Sequence, residues 1–185
     1  MSDDGNRTAR LLYDREVPAD ILEEWTLQTA APKPERTAPR SGAMLVRAGN
    51  EWLGLPAAMI ETALPAGPVH SVPRLSNAAF LGLTNVDGEL LPCVRLSALL
   101  GGQADPAPAR PRMVAVRVPQ GRFALLVDEA AGTCGYLPGE LGALPATVAL
   151  APSPLVVGVI ELEGRSAGLA GIEELGAALL GSLRP

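Results

Sequence analysis

One pattern occurs twice in this chain, and it limits the fold to something built from paired β-hairpins. Met44-Leu45-Val46-Arg47 runs through a turn at Ala48-Gly49-Asn50 into Trp52-Leu53-Gly54-Leu55. Met113-Val114-Ala115-Val116-Arg117 runs through Pro119-Gln120-Gly121 into Phe123-Ala124-Leu125-Leu126. The two stretches start 69 positions apart, at Met44 and Met113. A second pair follows, Gly82 to Gly88 and Gly158 to Gly164, with both glycines offset by 76. Each member is an apolar strand, an acidic turn ending in glycine, and another apolar strand. The pattern predicts two small β-lobes joined as one body. A body of that kind displays surfaces rather than a reaction centre.

Composition narrows the options. With 48% hydrophobic residues the chain can bury a core, but at 3% aromatics that core must be Leu, Val and Ala. The 18 Pro and 20 Gly punctuate the chain often, which suits short strands and tight loops. A net charge of −5, with Lys33 the only lysine and the arginines scattered, leaves no clustered basic face. Phosphate backbones need such a face, so nucleic acid and anionic membrane are not expected partners. The N-terminus is polar and no apolar run reaches about 18 residues, so neither a cleavable signal nor direct membrane insertion is expected. Cys93 and Cys134 have no metal spacing and fit free thiols in a cytoplasmic protein.

Two divisions are expected: residues 1–41, an extension with a short helix and a Pro-rich linker, and residues 42–185, the body. Pro18 suits a first helical turn, and Ile21, Leu22 and Trp25 make one apolar stripe over about 18–29. A helix this short is marginal alone, so the stripe must dock on this body or on a partner. Strands are expected near 43–49, 52–56, 58–64, 90–94, 113–118, 122–128, 155–162 and 166–170. Pro65 to Val72, with His70, reads as a loop, and Asn77 to Leu83 as a helical turn leading into a strand. Asp87-Gly88 marks a tight hairpin turn. Pro92 suggests an edge or a bulge. Ser97 to Leu100 is a short helical cap ended by Gly101-Gly102. Residues 103–112 read as a flexible join and 138–154 as loop. Glu173 to Leu183 closes as a helix, with Leu175, Leu179, Leu180 and Leu183 at helical spacing.

Catalysis needs positioned acids, bases or nucleophiles, and the candidates are thin. His70 is the only imidazole. Cys93 reads as a buried structural thiol and Cys134 as incidental. Asp128 and Glu129 could hold a cation, but a lone acidic strand end is more often a solvated turn. No phosphate loop and no metal cluster is present, so neither an enzyme nor a cofactor is expected.

Val72-Pro73, Phe80-Leu81-Gly82-Leu83-Thr84-Asn85-Val86-Asp87-Gly88-Glu89-Leu90-Leu91-Pro92 and Leu96 with Leu99-Leu100-Gly101 resemble the signature stretch of CheW-like domains. Leu126 to Glu129 and Gly158-Val159 resemble later segments of that family, and the resemblance covers about 42–183. Leu12 to Trp25, Gly88 to Val94, Leu144 to Val148 and Glu163 to Leu169 are similar to the second coupling protein (WspD-like) of Wsp-type surface-sensing systems. Those relatives usually carry a Cys-containing segment ahead of the extension, which this sequence does not contain.

The resemblance implies a mainly β fold of two intertwined five-stranded, SH3-like barrels with short terminal helices. It implies a cytoplasmic, non-catalytic adaptor between the tips of methyl-accepting chemoreceptors and a CheA-type histidine kinase, with the receptor in a groove that includes the inter-lobe crevice. The expected partner-binding residues are Asn85, Val86, Asp87, Gly88, Glu89, Leu90, Leu91 and Arg95, with Ile21, Leu22 and Trp25 as a second contact. Three positions depart from the family. Its turn arginine is Asp87 here, its Asp before the last Leu of the strand is Arg95, and the Glu that pairs the turn arginine aligns with Thr62, beside Glu61. The usual ion pair is therefore not expected. Asp87 and Arg95 either retune the partner surface or are tolerated drift. The alternative function is a degenerate SH3- or OB-like binding module with a changed protein partner.

Overall fold

Short runs with period-two alternation become strands buried on one face, and near-continuous apolar runs such as residues 113–116 become strands buried on both. In the computed structural model, which describes residues 41–75, 77–102, 111–143, 155–162 and 165–184, these runs form eleven strands and two α-helices. The strands are β1 (Ser41–Ala48), β2 (Glu51–Pro56), β3 (Ile60–Pro65), β4 (Val69–His70), β5 (Phe80–Val86) and β6 (Glu89–Arg95). After helix α1 (Leu96–Leu99) come β7 (Arg112–Val118), β8 (Gly121–Val127), β9 (Glu129–Tyr136), β10 (Val156–Leu162), β11 (Arg165–Ala170) and helix α2 (Ile172–Ser182). The fold is mainly β, as expected.

The strands make two sheets, ordered β10-β11-β2-β1-β9 and β3-β7-β8-β6-β5-β4. The repeat explains both. Hairpin β1-β2 corresponds to β7-β8, and β5-β6 to β10-β11. Each sheet takes one hairpin of each kind, joined in parallel: Leu53 beside Gly168 in the first, Cys93 beside Ala124 in the second. The third strand of each copy crosses over, so β3 pairs with β7 and β9 pairs with β1. The copies are therefore intertwined, not laid end to end. Even the bulges repeat, at Leu81 in β5 and Val157 in β10, one residue before the glycines offset by 76.

Alternate residues of the central strands serve different cores. Val114, Val116, Phe123, Leu125 and Val127 face a central core that also takes Val46, Leu53, Leu55, Leu96, Leu175 and Leu179 from the first sheet and both helices. Burying each such side chain is worth about 1.5–3 kcal/mol. The opposite faces of β7 and β8 give Met113, Ala115 and Ala124 to a small core with Val86, Leu91 and Cys93. The first sheet has its own small core of Ala43, Leu45, Ile160, Ala167 and Leu169. Each sheet curls round its small core. Edge strands β3 and β4 are joined by only Ala66-Gly67-Pro68, and Leu64 and Val69 pack on the same cluster. In the first sheet, Gly142 and Val159 exchange two backbone hydrogen bonds, tying the chain after β9 to β10.

Several expectations need correction. β9 was not expected; its Ala- and Gly-rich run is held extended by pairing with β1. His70 lies in β4, paired opposite Leu83, and not in a loop. Residues 77–79 form no helical turn: Asn77 Oδ1 accepts from the N–H groups of Ala79 (3.0 Å) and Phe80 (2.7 Å), while Nδ2 donates to the Ser182 carbonyl at 2.7 Å and fastens the end of α2. A short 3-10 turn at Ala57–Met59 precedes β3. β6 is a central strand, but its pairing with β8 begins at Cys93, so Pro92 sits where only β5 is alongside. Leu180 faces outward on α2. The 18–29 helix, most of the linker and the 103–110 join lie outside the described residues.

Candidate functional site

Hairpin β5-β6 turns at Asp87 (φ 51°) and Gly88 (φ 88°). A two-residue turn that matches strand twist needs positive φ at both positions, which Asp and Gly tolerate best. Asn85 Oδ1 accepts from the Gly88 N–H at 2.9 Å and fixes the turn from inside. Asn85, Asp87, Gly88, Glu89 and Leu90 are exposed, Leu90 at 60%. Val86 and Leu91, expected on the partner surface, are 1% and 2% exposed and belong to the small core of the second sheet. They support the surface from beneath. Arg95 is half-buried at the far end of β6, whose seven residues span about 20 Å, so it does not meet Asp87. Ile21, Leu22 and Trp25 lie outside the described residues.

An ion-pair ribbon, absent from the sequence reading, crosses four neighbouring strands beside this turn. β3 bulges between Ile60 and Thr62, and the extra residue is Glu61. A bulge re-aims the residue it inserts. Glu61 Oε1 meets Arg117 Nη2 of β7 at 2.5 Å, and Oε2 meets Arg122 Nη2 of β8 at 2.6 Å. Arg122 Nε also donates to Glu61 Oε2 at 2.7 Å, and its Nη1 pairs with Glu89 of β6. The hydrogen bond from Arg122, with the positive charge of Arg117, holds the Glu61 carboxyl below the usual glutamate value despite some loss of water. Arg122 is pushed up mainly by Glu61. Glu61 thus has cations although the turn carries an aspartate. The signal in the sequence was the pair of arginines flanking Pro119-Gln120.

The acids at the β8–β9 corner also have partners. Asp128 Oδ2 accepts from the Gly49 N–H at 2.5 Å, and Glu129 meets Arg47 Nε at 3.4 Å. Arg47 also donates to the Gly49 carbonyl at 3.0 Å, so this cluster pins the β1–β2 turn. Cys93 is buried, and loss of water pushes its thiol up to about 11. The Cys134 thiol donates to the Ala43 carbonyl at 3.3 Å, and neither cysteine is in a disulfide. Among the described residues no three His, Cys, Asp or Glu gather round a common point. Among them, too, no helix is long and apolar enough to cross a membrane.

Three comparisons bear on this body. The profile of the family described as CheW-like domain matches residues 42–178, which takes in both sheets. The crystal structure of the scaffolding protein TtCheW from Thermoanaerobacter tengcongensis is similar in fold, with a TM-score of 0.65 at 14% identity. That match covers 74% of this chain and 92% of the other. No curated protein matches the chain.

Proposed function

Because this chain belongs to the CheW-like domain family, we propose that it is a non-catalytic scaffold coupling the cytoplasmic tips of chemoreceptors to a CheA-type histidine kinase. The observation that carries the reading is the extent of the family match, which spans the whole two-sheet body. The partner surface proposed here is the exposed part of hairpin β5-β6, Asn85, Asp87, Gly88, Glu89 and Leu90, with Arg95 at the far end of the strand. Ile21, Leu22 and Trp25 form the second contact. Two modest interfaces suffice, because holding both partners in one array raises the effective concentration of each for the other. We place the protein in a Wsp-type surface-sensing pathway on the similarity of Leu12 to Trp25 and of Gly88 to Val94.

A second reading, a binding module with an exchanged partner, draws on the reversed charges at Asp87 and Arg95. Like charges facing a partner's like charges cost several kcal/mol and change partner choice. The test is a calorimetric titration of the whole chain with the regulatory domain of the genome-neighbouring CheA-type kinase and with the tip hairpin of its receptor. Binding to both supports the scaffold. Binding to neither, from a folded sample, overturns it in favour of the exchanged partner.

A further inference from the structure

The outer face of hairpin β5-β6 carries an apolar patch beside an exposed acid, Asp87. Asn85 lies opposite Leu90, and Leu83 opposite Pro92, so these four side chains share one face. The other face, with Thr84, Val86, Leu91 and Cys93, is buried. Further along β6 the outer face reaches the central core at Val94. Towards the turn no described residue covers it fully: Leu90 is the most exposed large hydrophobic side chain among the described residues, and Leu83 and Pro92 are half-exposed. The site is fixed in position by the β5-β6 ladder and by the Asn85 bond across the turn.

Charge decides what fits there. Asp87 is exposed and makes no ion pair among the described residues. The nearby arginines do not compensate it. Arg117 and Arg122 are engaged by Glu61 and Glu89, and alternation along β6 puts Glu89 on the face away from Leu90. The ribbon is satisfied within the molecule, whereas the turn presents a fixed negative charge at the rim of an apolar patch.

We propose that this face takes a partner segment that presents a lysine or arginine to Asp87 and an aliphatic side chain to Leu90 and Pro92. The inference rests on the scaffold reading and gives the chemistry of the partner at that site. A desolvated apolar anchor with a charged rim is the usual anatomy of a specific contact: the anchor supplies affinity, and the rim charge supplies on-rate and selectivity.

The whole chain and its Asp87→Asn, Asp87→Lys and Leu90→Ser variants are titrated with the kinase regulatory domain and the receptor tip hairpin, at low and at high salt. Asp87→Asn keeps a residue that tolerates the positive φ, so loss of binding there reports charge. The expected result is binding by the natural chain to at least one protein, weakened about tenfold by Asp87→Lys and by Leu90→Ser and less by Asp87→Asn. The salt dependence shrinks in Asp87→Asn. Reversing the partner's cation to glutamate restores binding to Asp87→Lys. Binding that all three variants leave unchanged overturns the inference and leaves the scaffold reading standing. A natural chain that binds neither protein overturns both. A natural chain that dimerises, and that Leu90→Ser makes monomeric, overturns the inference in favour of a second copy on this face.

Discussion

The two sheets are the same device with different plugs. Both have a hairpin whose first strand carries arginine one residue before its end, Arg47 in β1 and Arg117 in β7, each paired with a carboxylate on the strand that crosses over from the other copy. Opposite these arginines stand Trp52 and Arg122. Trp52 packs on the small core of the first sheet with Cys134, Tyr136 and Leu141. Arg122, on the same side of β8 as Ala124 and Leu126, bridges Glu61 and Glu89. One small core is closed by an aromatic ring and the other by a ribbon of ion pairs. The backbone accepts either, because strand ends are where polar side chains can keep contact with water. The ionic closure lies on the sheet that also carries the exposed β5-β6 hairpin.

If the copies share one central core, equivalent deletions in each must unfold the whole. Leu55 and Leu125 occupy the same place in hairpins β1-β2 and β7-β8, opposite Met44 and Val114, and both are fully buried. Leu55→Ala and Leu125→Ala should each cost about 2–5 kcal/mol and give one cooperative denaturant transition. Two transitions, or loss of only one half's signal, would break the description of the copies as intertwined.

The next test separates positions that the repeat makes look alike. Gly82 and Gly158 follow equivalent bulges, but only Gly82 has a positive φ (134°), and a Cβ there would lie 2.1 Å from the His70 carbonyl oxygen of β4. At Gly158 the nearest atoms a Cβ would meet belong to the Leu141 side chain, at 3.2 Å and beyond. Gly82→Ala should therefore cost roughly 2–4 kcal/mol, backbone strain and overpacking together, and Gly158→Ala less than about 1.5 kcal/mol. Equal losses in thermal unfolding would mean that β4 does not hold its place on β5.

Much of this frame was legible before any coordinates. Apolar alternation, the Asp87-Gly88 turn and the double repeat give the hairpins, because those features act within a dozen residues. The repeat read from Met44 and Met113 is off by one, since hairpin register aligns Arg47 and Trp52 with Arg117 and Arg122. β9 was illegible because Glu129 to Tyr136 has little strand propensity of its own, and pairing with β1, some 90 positions earlier, makes it a strand. At the site the turn was legible and the parity was not: that Val86 and Leu91 point inward depends on where the hairpin sits over the small core. For the same reason the ribbon's assembly was not legible, although its two arginines were in view on either side of Pro119-Gln120. Its four residues are brought together by strand order and by a bulge at Glu61.

The smallest effect tests what the ribbon does for the fold, with Trp52 as the control. The folded state holds the Glu61 carboxyl below the ordinary glutamate value, by Arg122 first and Arg117 next. A carboxyl depressed on folding adds stability that is present above the unfolded value of about 4.3 and is lost as the pH falls below it. Glu61→Gln should therefore be less stable than the natural chain at pH 7, and the gap should close between pH 4.5 and the acid limb. At pH 7 the same gap should shrink in 1 M salt, where the screening length falls to about 3 Å. Trp52→Leu should lose stability by a margin that changes less with pH, because it removes an aromatic ring from the small core of the first sheet. A Glu61→Gln gap that persists unchanged at pH 3 would mean that Glu61 acts through the shape of the bulge. The two plugs would then differ in chemistry without differing in how they hold the sheet.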